Sequence, residues 1–249
     1  MPDVKLSQLA AASAASVAAG AGLWTMAGHI LGLRMEYVGP ASVRVSSGSA
    51  WIPSLQQAIE VPSALTLSGL TLAGNTWYHL YLFLNGSTPS IEAVTDAPAA
   101  PYSGSARAKT GANTRRYIGS FRTDATGAIR PFVHAVASGE VLFCSLNDFV
   151  VGNGLASVST AVDCSPYVPV TGVAAKCLMG NDNASASVLY GHPIVGTLTS
   201  TNYIGPIPPK NNLSPDVPLS TSQQFLYKFD TSVTGSGLYV RVYGYRYER

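Results

Sequence analysis

Charge is what this sequence lacks most. Asp, Glu, Lys and Arg make up 11% of its 249 residues, whereas an average soluble domain contains roughly 25%. The 15 Lys and Arg against 13 Asp and Glu leave a formal net charge of +2, so no overall field favours nucleic acid or an anionic membrane as a partner. Because few charged groups are available to cover a surface, we expect an obligate oligomer that buries much of each subunit.

Cysteine is also scarce. The chain has three cysteines, Cys144, Cys164 and Cys177, an odd number without the spacing of metal ligands. Free cysteine behaves as a small apolar residue, so we predict that all three are reduced and belong to the core. A partial disulfide is the alternative.

Signatures of catalysis are missing from the sequence. It contains no G-x-S-x-G, no phosphate-binding P-loop and no H-E-x-x-H motif. His79 and His134 lie in apolar segments and are predicted to be structural, and Asp182 lacks the spaced acidic ligands of a calcium loop. We therefore predict no catalytic residue, no metal ion and no cofactor. A glycan-cleaving enzyme whose two carboxylates meet only in the fold is an alternative.

The N-terminal segment is uncharged from Leu6 to Leu33, which is long enough to cross a bilayer. It is rich in Ala, Ser and Gly, however, and lacks the Leu, Ile and Val density that drives insertion. Leu6, Leu9 and Val17 follow one helical stripe. We predict a helical or extended anchoring arm at residues 1–35 that packs against a partner without membrane insertion. A signal peptide and a membrane span are the alternatives.

Beyond the arm, short apolar runs separated by Gly, Pro, Asn and Ser predict many short strands. The clearest covers Thr76 to Leu84 and ends at Asn85-Gly86, a strong hairpin-turn dipeptide. Both of its faces are apolar, so it is covered on both sides, either inside a sandwich or by a neighbouring subunit. The prolines of residues 205–220 predict an irregular surface crossing rather than a strand.

The fold class predicted from this pattern is all-β. We expect two β-sandwich, jelly-roll-like domains after the arm, at residues 36–137 and 138–249. In the second domain the last two apolar runs, on either side of residues 231–237, are predicted to form a hairpin.

Six of the 15 Lys and Arg fall between Arg107 and Arg130. The alternation of residues 115–123 places Arg116 and Arg122 along one side of a hairpin. We predict a solvated face or a face that pairs with another subunit. Anion or nucleic-acid binding is the alternative, but nucleic acid requires a larger basic surplus with interleaved aromatic residues, so no nucleic-acid partner is expected.

The final strand alternates tyrosine with aliphatic residues. Tyrosine rings are large, rigid and amphipathic, which suits interfaces and sugar-stacking platforms. We favour packing of this face against a neighbouring subunit or a sandwich layer; a ligand or receptor face and simple exposure are the alternatives. The predicted receptor- or interface-facing side consists of Tyr239, Arg241, Tyr243, Tyr245 and Tyr247.

Two stretches have a recognisable residue pattern: the opening MPDVKLSQLAAASA, and a middle segment in which Trp77 and Tyr78 are followed by Lys109, Thr110, Gly111, Arg115 and Arg116. The opening is similar to the start of many fibre and appendage proteins of tailed bacteriophages, and the middle of the chain resembles a β domain common in their tail and fibre proteins. The resemblance covers about half of the chain. The residues that carry it in the middle are Trp77, Tyr78, Tyr81, Lys109, Thr110, Gly111, Arg115, Arg116, Ile118, Gly119, Asp124, Gly127 and Phe132.

This resemblance implies a virion structural protein of a tail fibre, baseplate or other appendage, made in the cytoplasm of the host bacterium. It implies a homotrimer that binds other tail or capsid proteins and contributes to host attachment through many weak contacts with cell-surface glycan. One alternative is a joint or decoration protein without receptor contact. Others are a surface-polysaccharide depolymerase or esterase and a secreted adhesin.

Overall fold

The computed structural model describes residues 26–145 and 148–249. These ranges form β-strands and two 3-10 helices, Pro53–Leu55 and Pro193–Val195. The anchoring residues Leu6, Leu9 and Val17 lie outside the described residues. None of the helices in the described ranges has the length and apolar character needed to cross a membrane.

The first half of the chain contains ten strands. They are β1 (Ile30–Gly32), β2 (Met35–Gly39), β3 (Ser42–Val45), β4 (Gly48–Ile52), β5 (Gln57–Val61), β6 (Leu65–Leu67), β7 (Trp77–Asn85), β8 (Thr88–Val94), β9 (Ala108–Lys109) and β10 (Ala112–Arg122). They form three sheets with the orders β1-β4-β5, β2-β3-β6 and β8-β7-β10-β9.

The second half forms two further sheets. Its strands are β11 (Phe132–Ala135), β12 (Glu140–Phe143), β13 (Phe149–Gly154), β14 (Thr160–Asp163), β15 (Gly172–Asn181), β16 (Val188–Gly191), β17 (Gly205–Ile207), β18 (Asn211–Leu213), β19 (Asp216–Pro218), β20 (Gln224–Phe229) and β21 (Leu238–Tyr247). One sheet has the order β11-β12-β21-β15-β18, with β13 beside β21 and β19 beside β15, and the other has the order β14-β20-β16-β17. The predicted all-β fold of antiparallel sandwich layers is confirmed.

Strand β7 is covered on both faces by its own chain. Its side chains from Tyr78 to Leu82 are buried, and β8 and β10 flank it in the sheet. The ring of Trp77 packs edge-on against Tyr245 from the second half, at 5.7 Å between centroids. The sequence left open whether β7 is covered inside a sandwich or by a neighbouring subunit. The structure shows that it lies inside the sandwich.

The two halves share one hydrophobic core. A single cluster of buried side chains runs from Leu33 to Tyr247, and β11, which begins at Phe132, belongs to the large sheet of the second half. The indole of Trp77 donates a 3.0 Å hydrogen bond to the carbonyl oxygen of Ser165. Residues before and after position 137 are thus packed into a continuous interior.

Two predictions about the second half are wrong. Residues 205–220 contain three short strands, β17 to β19, in which Pro206 and Pro218 are tolerated because each strand lies at a sheet edge and needs few donors. The predicted hairpin of the last two runs is absent as well, because β20 pairs with β14 and β16 while β21 pairs with β12, β13 and β15. The two strands belong to different layers.

Arg116 and Arg122 of β10 are buried, which corrects the predicted solvated face at these two positions. Arg116 is 0% exposed and Arg122 is 8% exposed. Their guanidinium groups lie near aromatic rings, Arg116 at 5.8 Å from Tyr102 and Arg122 at 5.1 Å from Tyr167. Burial was not predicted because these rings come from loops distant in the sequence.

The cysteines divide into two environments. Cys164 and Cys177 are buried, as predicted, whereas Cys144 is exposed. Burial raises the pKa of Cys164 to about 12 and raises that of Cys177 well above its usual value. The prediction of a core position is therefore confirmed for two cysteines and wrong for Cys144.

Candidate functional site

A β-bulge divides the predicted tyrosine face of β21. Opposite β15, Cys177 pairs with Val242 but Lys176 pairs with Gly244, so Tyr243 is an extra residue on β21. A bulge shifts the alternation of side chains by one position. Tyr239 and Arg241 consequently stay on the outer face, while later tyrosines turn inward.

Tyr245 and Tyr247 are core residues, so they pack against a sandwich layer, and their assignment to a receptor- or interface-facing side is wrong. Tyr245 is 0% exposed and Tyr247 is 3% exposed. Their hydroxyl groups donate to the carbonyl oxygens of Ser120 at 2.7 Å and Ile118 at 3.0 Å. Burial raises the pKa of both phenols, which therefore stay neutral donors. Tyr243 is half-buried.

The outer half of the predicted face lies in a shallow groove on the large sheet. Tyr239, Gly180 and Asn212 are side by side across β21, β15 and β18. The neighbouring row places Arg241 between Phe149 and Leu178. Two concavities of about 250 and 180 Å³ share Gly180, Asn212 and Tyr239 in their lining. We call this surface the Tyr239 groove.

Gly180 allows the Asn212 side chain to lie close to the floor of the Tyr239 groove. A Cβ atom at this position would lie 2.7 Å from Oδ1 of Asn212, closer than such atoms approach without a shift. Gly180, with Tyr239 on one side and the Asn212 amide on the other, lines both concavities. A glycine inside a strand is typical of a place where another group approaches the backbone closely.

One wall of the groove is aromatic and rigid. The rings of Phe149 and Tyr239 meet edge to face at 5.5 Å between centroids. The guanidinium carbon of Arg241 lies 4.0 Å from the centroid of Phe149, within the range of a cation–π contact. This contact places the guanidinium against the Phe149 ring. The Nε of Arg241 is buried without a hydrogen-bond partner among the described residues.

The other end of the groove is polar. Nζ of Lys210 lies 2.9 Å from Oδ1 of Asp182 and donates at 2.6 Å to the Asp182 carbonyl oxygen. Both side chains are more than half exposed, so the pair adds little to stability and remains accessible to a ligand. No group of three or more His, Cys, Asp or Glu with metal-site geometry occurs within residues 26–145 and 148–249.

The loop that carries Asp182 is fixed by its neighbouring asparagines. The buried amide of Asn181 donates to the carbonyl oxygens of Ala186 and Ile207 at 2.8 and 2.9 Å. Its Oδ1 accepts a 3.0 Å hydrogen bond from the backbone N–H of Asn183. A rigid loop presents its polar groups in one arrangement, which limits the entropy lost on binding.

Most groove residues were not predicted from the sequence. Of the predicted set, Tyr239 and Arg241 line the groove. The residues that complete it come from β13, β15, β18 and two loops, and their proximity depends on strand register, for which the sequence carries no local signal. They are Phe149, Leu178, Gly180, Asp182, Lys210 and Asn212.

No family model, no curated protein and no solved structure matches this chain.

Proposed function

We propose that this protein is a non-catalytic attachment protein that binds cell-surface glycan in the Tyr239 groove. The observation that carries the proposal is the placement of the half-exposed Tyr239 ring beside the polar Asn212, Asp182 and Lys210, with Gly180 paired between Tyr239 and Asn212. Binding sites typically combine apolar and aromatic surface with a few well-placed polar groups. The groove has this composition on an accessible sheet face.

Sugar chemistry fits the two walls. A pyranose ring has an apolar C–H face that stacks on an aromatic ring, and a rim of hydroxyl groups that donate and accept hydrogen bonds. Tyr239 offers the stacking surface, while Asn212, Asp182 and Lys210 offer acceptors and donors. Each concavity is smaller than the roughly 300–1,000 Å³ of pockets that enclose a whole small molecule. We therefore favour one or two units of an extended polymer as the ligand.

The wider proposal is a subunit of a phage tail fibre, baseplate or other appendage, assembled as a homotrimer with other virion proteins. Its support is the sequence resemblance and the 11% charge content. The apolar faces of β7 do not support an oligomer, because side chains of the same chain cover them. Several copies on one particle would multiply weak groove contacts into stable attachment.

Binding to a panel of immobilised bacterial polysaccharides tests the proposal. The wild-type protein is expected to bind at least one polymer, and Tyr239→Ala to weaken that binding about tenfold, since truncating a tyrosine at the centre of a contact typically costs 1 to 2 kcal/mol. Tyr203→Ala, which removes an exposed tyrosine outside the groove, is the matched control. Equal affinity of the Tyr239 and Tyr203 variants would contradict the proposal. Release of reducing ends would favour a depolymerase instead.

A structural joint without receptor contact is the second candidate. It is favoured by exposed aliphatic side chains away from the groove, including Leu31, Val133 and Ile194, because such side chains suit contacts with other subunits. A solution mass of three times the 25.9 kDa chain, combined with no binding to any polymer, would support the joint over the attachment protein.

A further inference from the structure

Two cations and one carboxylate line the Tyr239 groove. The larger concavity is lined by Lys210 and Asp182, and the smaller one is lined by Arg241. Nζ of Lys210 lies 2.9 Å from Oδ1 of Asp182, so these two charges offset each other. The lining of the groove therefore keeps one positive charge, and that charge lies at its Arg241 end.

Arg241 has an aromatic neighbour but no carboxylate partner. Its guanidinium carbon lies 4.0 Å from the centroid of the Phe149 ring, and a ring face attracts a cation without neutralising it. None of the ion pairs within residues 26–145 and 148–249 includes Arg241. The side chain is half-buried and lines the concavity of about 180 Å³. Its charge thus adjoins space that a ligand can enter.

Tyr239 and Arg241 are placed to contact the same sugar unit. They are two residues apart on β21, before the bulge, so their side chains project to the same face, with Cα atoms about 7 Å apart. Both line the smaller concavity. In a uronic acid the carboxylate is attached directly to the edge of the pyranose ring. A ring that stacks on Tyr239 therefore brings its carboxylate within reach of the guanidinium.

A guanidinium is suited to a carboxylate partner. It is planar, it stays charged at every physiological pH, and it presents parallel donors that match the two carboxylate oxygens. Sulfate and phosphate esters also offer paired oxygens, but they are tetrahedral and are joined to the sugar through an additional oxygen atom. The planar group that is attached directly to the ring is the better match for a cation beside a stacking surface.

We propose that the Tyr239 groove selects acidic glycans, in which a sugar unit that bears a carboxylate stacks on Tyr239 and pairs with Arg241. The inference rests on the proposed function, because it names the class of glycan that the same groove binds. It adds a charge requirement that a neutral polysaccharide does not meet.

Binding to immobilised polygalacturonate, alginate and hyaluronan tests the inference. Each polymer is compared with the same polymer after its carboxyl groups have been reduced to primary alcohols, which removes the charge and retains the sugar backbone. At constant ionic strength, we expect at least one acidic polymer to bind about tenfold more tightly than its reduced form, because a charge-assisted bidentate pair is stronger than a neutral hydrogen bond.

Three variants assign this preference to the groove. Arg241→Gln should weaken binding of the acidic polymer about tenfold and leave binding of the reduced form unchanged. Arg246→Gln removes the same charge from an exposed position later on β21 and should keep the preference. Asp182→Asn removes the carboxylate of the groove and releases Lys210, so affinity for the acidic polymer should rise about threefold. Because misfolding does not raise affinity, this last variant keeps the test decisive if Arg241→Gln does not fold.

The outcomes separate this inference from the proposed function. Equal affinity for acidic and reduced polymers, or binding of neutral polymers alone, would overturn the inference and leave glycan attachment standing if Tyr239→Ala weakens that binding. Binding of dextran sulfate alone, with dependence on Arg241, would overturn the assignment to a carboxylate. An unchanged preference in both Arg241→Gln and Asp182→Asn would overturn it as well. Failure of every polymer, acidic or neutral, to bind would overturn the proposed function together with the inference.

Discussion

The phenol of Tyr245 donates a 2.7 Å hydrogen bond to the carbonyl oxygen of Ser120, which is 125 residues away in the sequence. Tyr245 belongs to the last strand and Ser120 to β10, so this contact joins the large C-terminal sheet to the sheet built around β7. The rings of Tyr117 and Tyr247 meet beside it, 6.2 Å between centroids. These aromatic contacts make one interior out of the two predicted domains.

Tyr245→Phe is expected to destabilise the whole chain. The change leaves a buried carbonyl oxygen without its side-chain donor, which costs roughly 1 to 3 kcal/mol. Urea unfolding followed by both fluorescence and circular dichroism should give one transition, because both halves share a core. Tyr243→Phe, at the half-buried bulge position, should change the free energy of unfolding by less than about 0.5 kcal/mol. Two separate transitions, or equal effects of the two variants, would contradict the shared core.

Gly180→Val is expected to impair binding in the Tyr239 groove while leaving the fold intact. The new side chain would fill the floor and displace the Asn212 amide. Valine is otherwise favourable in a strand, so the free energy of unfolding should change by less than about 1 kcal/mol. Glycan affinity should fall about tenfold. The control is Gly39→Val on β2, where a Cβ meets nothing within 4 Å. Full glycan affinity in the Gly180 variant would show that the ligand does not enter the groove.

Acid should destabilise the protein through two buried histidines. Burial is the main cause that lowers the pKa of His79 to about 4 and that of His134 to about 3, whereas an unfolded histidine has a pKa near 6.5. Below pH 6.5 the unfolded state therefore binds more protons, and the free energy of unfolding falls by about 1.4 kcal/mol per pH unit for each histidine. The stability contributed by the two neutral histidines is therefore fully present above pH 6.5 and is lost as the pH falls.

The bonds of His134 explain why its neutral form is required. Its Nδ1 accepts a 3.0 Å hydrogen bond from the backbone N–H of Met35, so in the neutral ring the proton is on Nε2 and faces the Tyr247 hydroxyl oxygen at 3.2 Å. Protonation of Nδ1 would turn it into a donor that faces the backbone N–H donor of Met35, and the hydrogen bond between them would be lost. His134→Asn keeps an acceptor for the Met35 N–H. Measured from the pH dependence of the unfolding free energy between pH 6.5 and 5, the number of protons taken up on unfolding should fall by about one.

Thiol labelling should distinguish the three cysteines. The exposed Cys144 is expected to react with iodoacetamide in the native protein, whereas Cys164 and Cys177 are buried and have raised pKa values, so little thiolate is available for reaction. Mass spectrometry should detect one modification under native conditions and three in denaturant. Modification of Cys177 at the rate of Cys144 would contradict the packing of β15.

Local sequence patterns were sufficient to predict several elements. The apolar run from Thr76 to Leu84 predicted β7, and the Asn85-Gly86 dipeptide predicted the turn between β7 and β8, where Gly86 has a φ of 64°. These features depend on neighbouring residues: side-chain alternation and the glycine conformation needed by a tight turn. They also established the all-β class.

Features that depend on distant strands could not be predicted in the same way. The bulge at Tyr243 arises from the register of β21 against β15, and it reverses the side on which Tyr245 lies. The burial of Arg116 likewise requires the ring of Tyr102 from a separate loop. The groove shares this origin, because its floor at Gly180 acquires its walls only when three strands align.

Two-dimensional NMR of the protein with a bound oligosaccharide tests the central claim most directly. If glycan binds where we propose, saturable shifts should appear at the backbone amide of Gly180, the side-chain amide of Asn212 and the amide of Tyr239, with few changes in β7 or β10. Shifts confined to another surface, or no saturable shift with any polymer fragment, would contradict attachment through the Tyr239 groove.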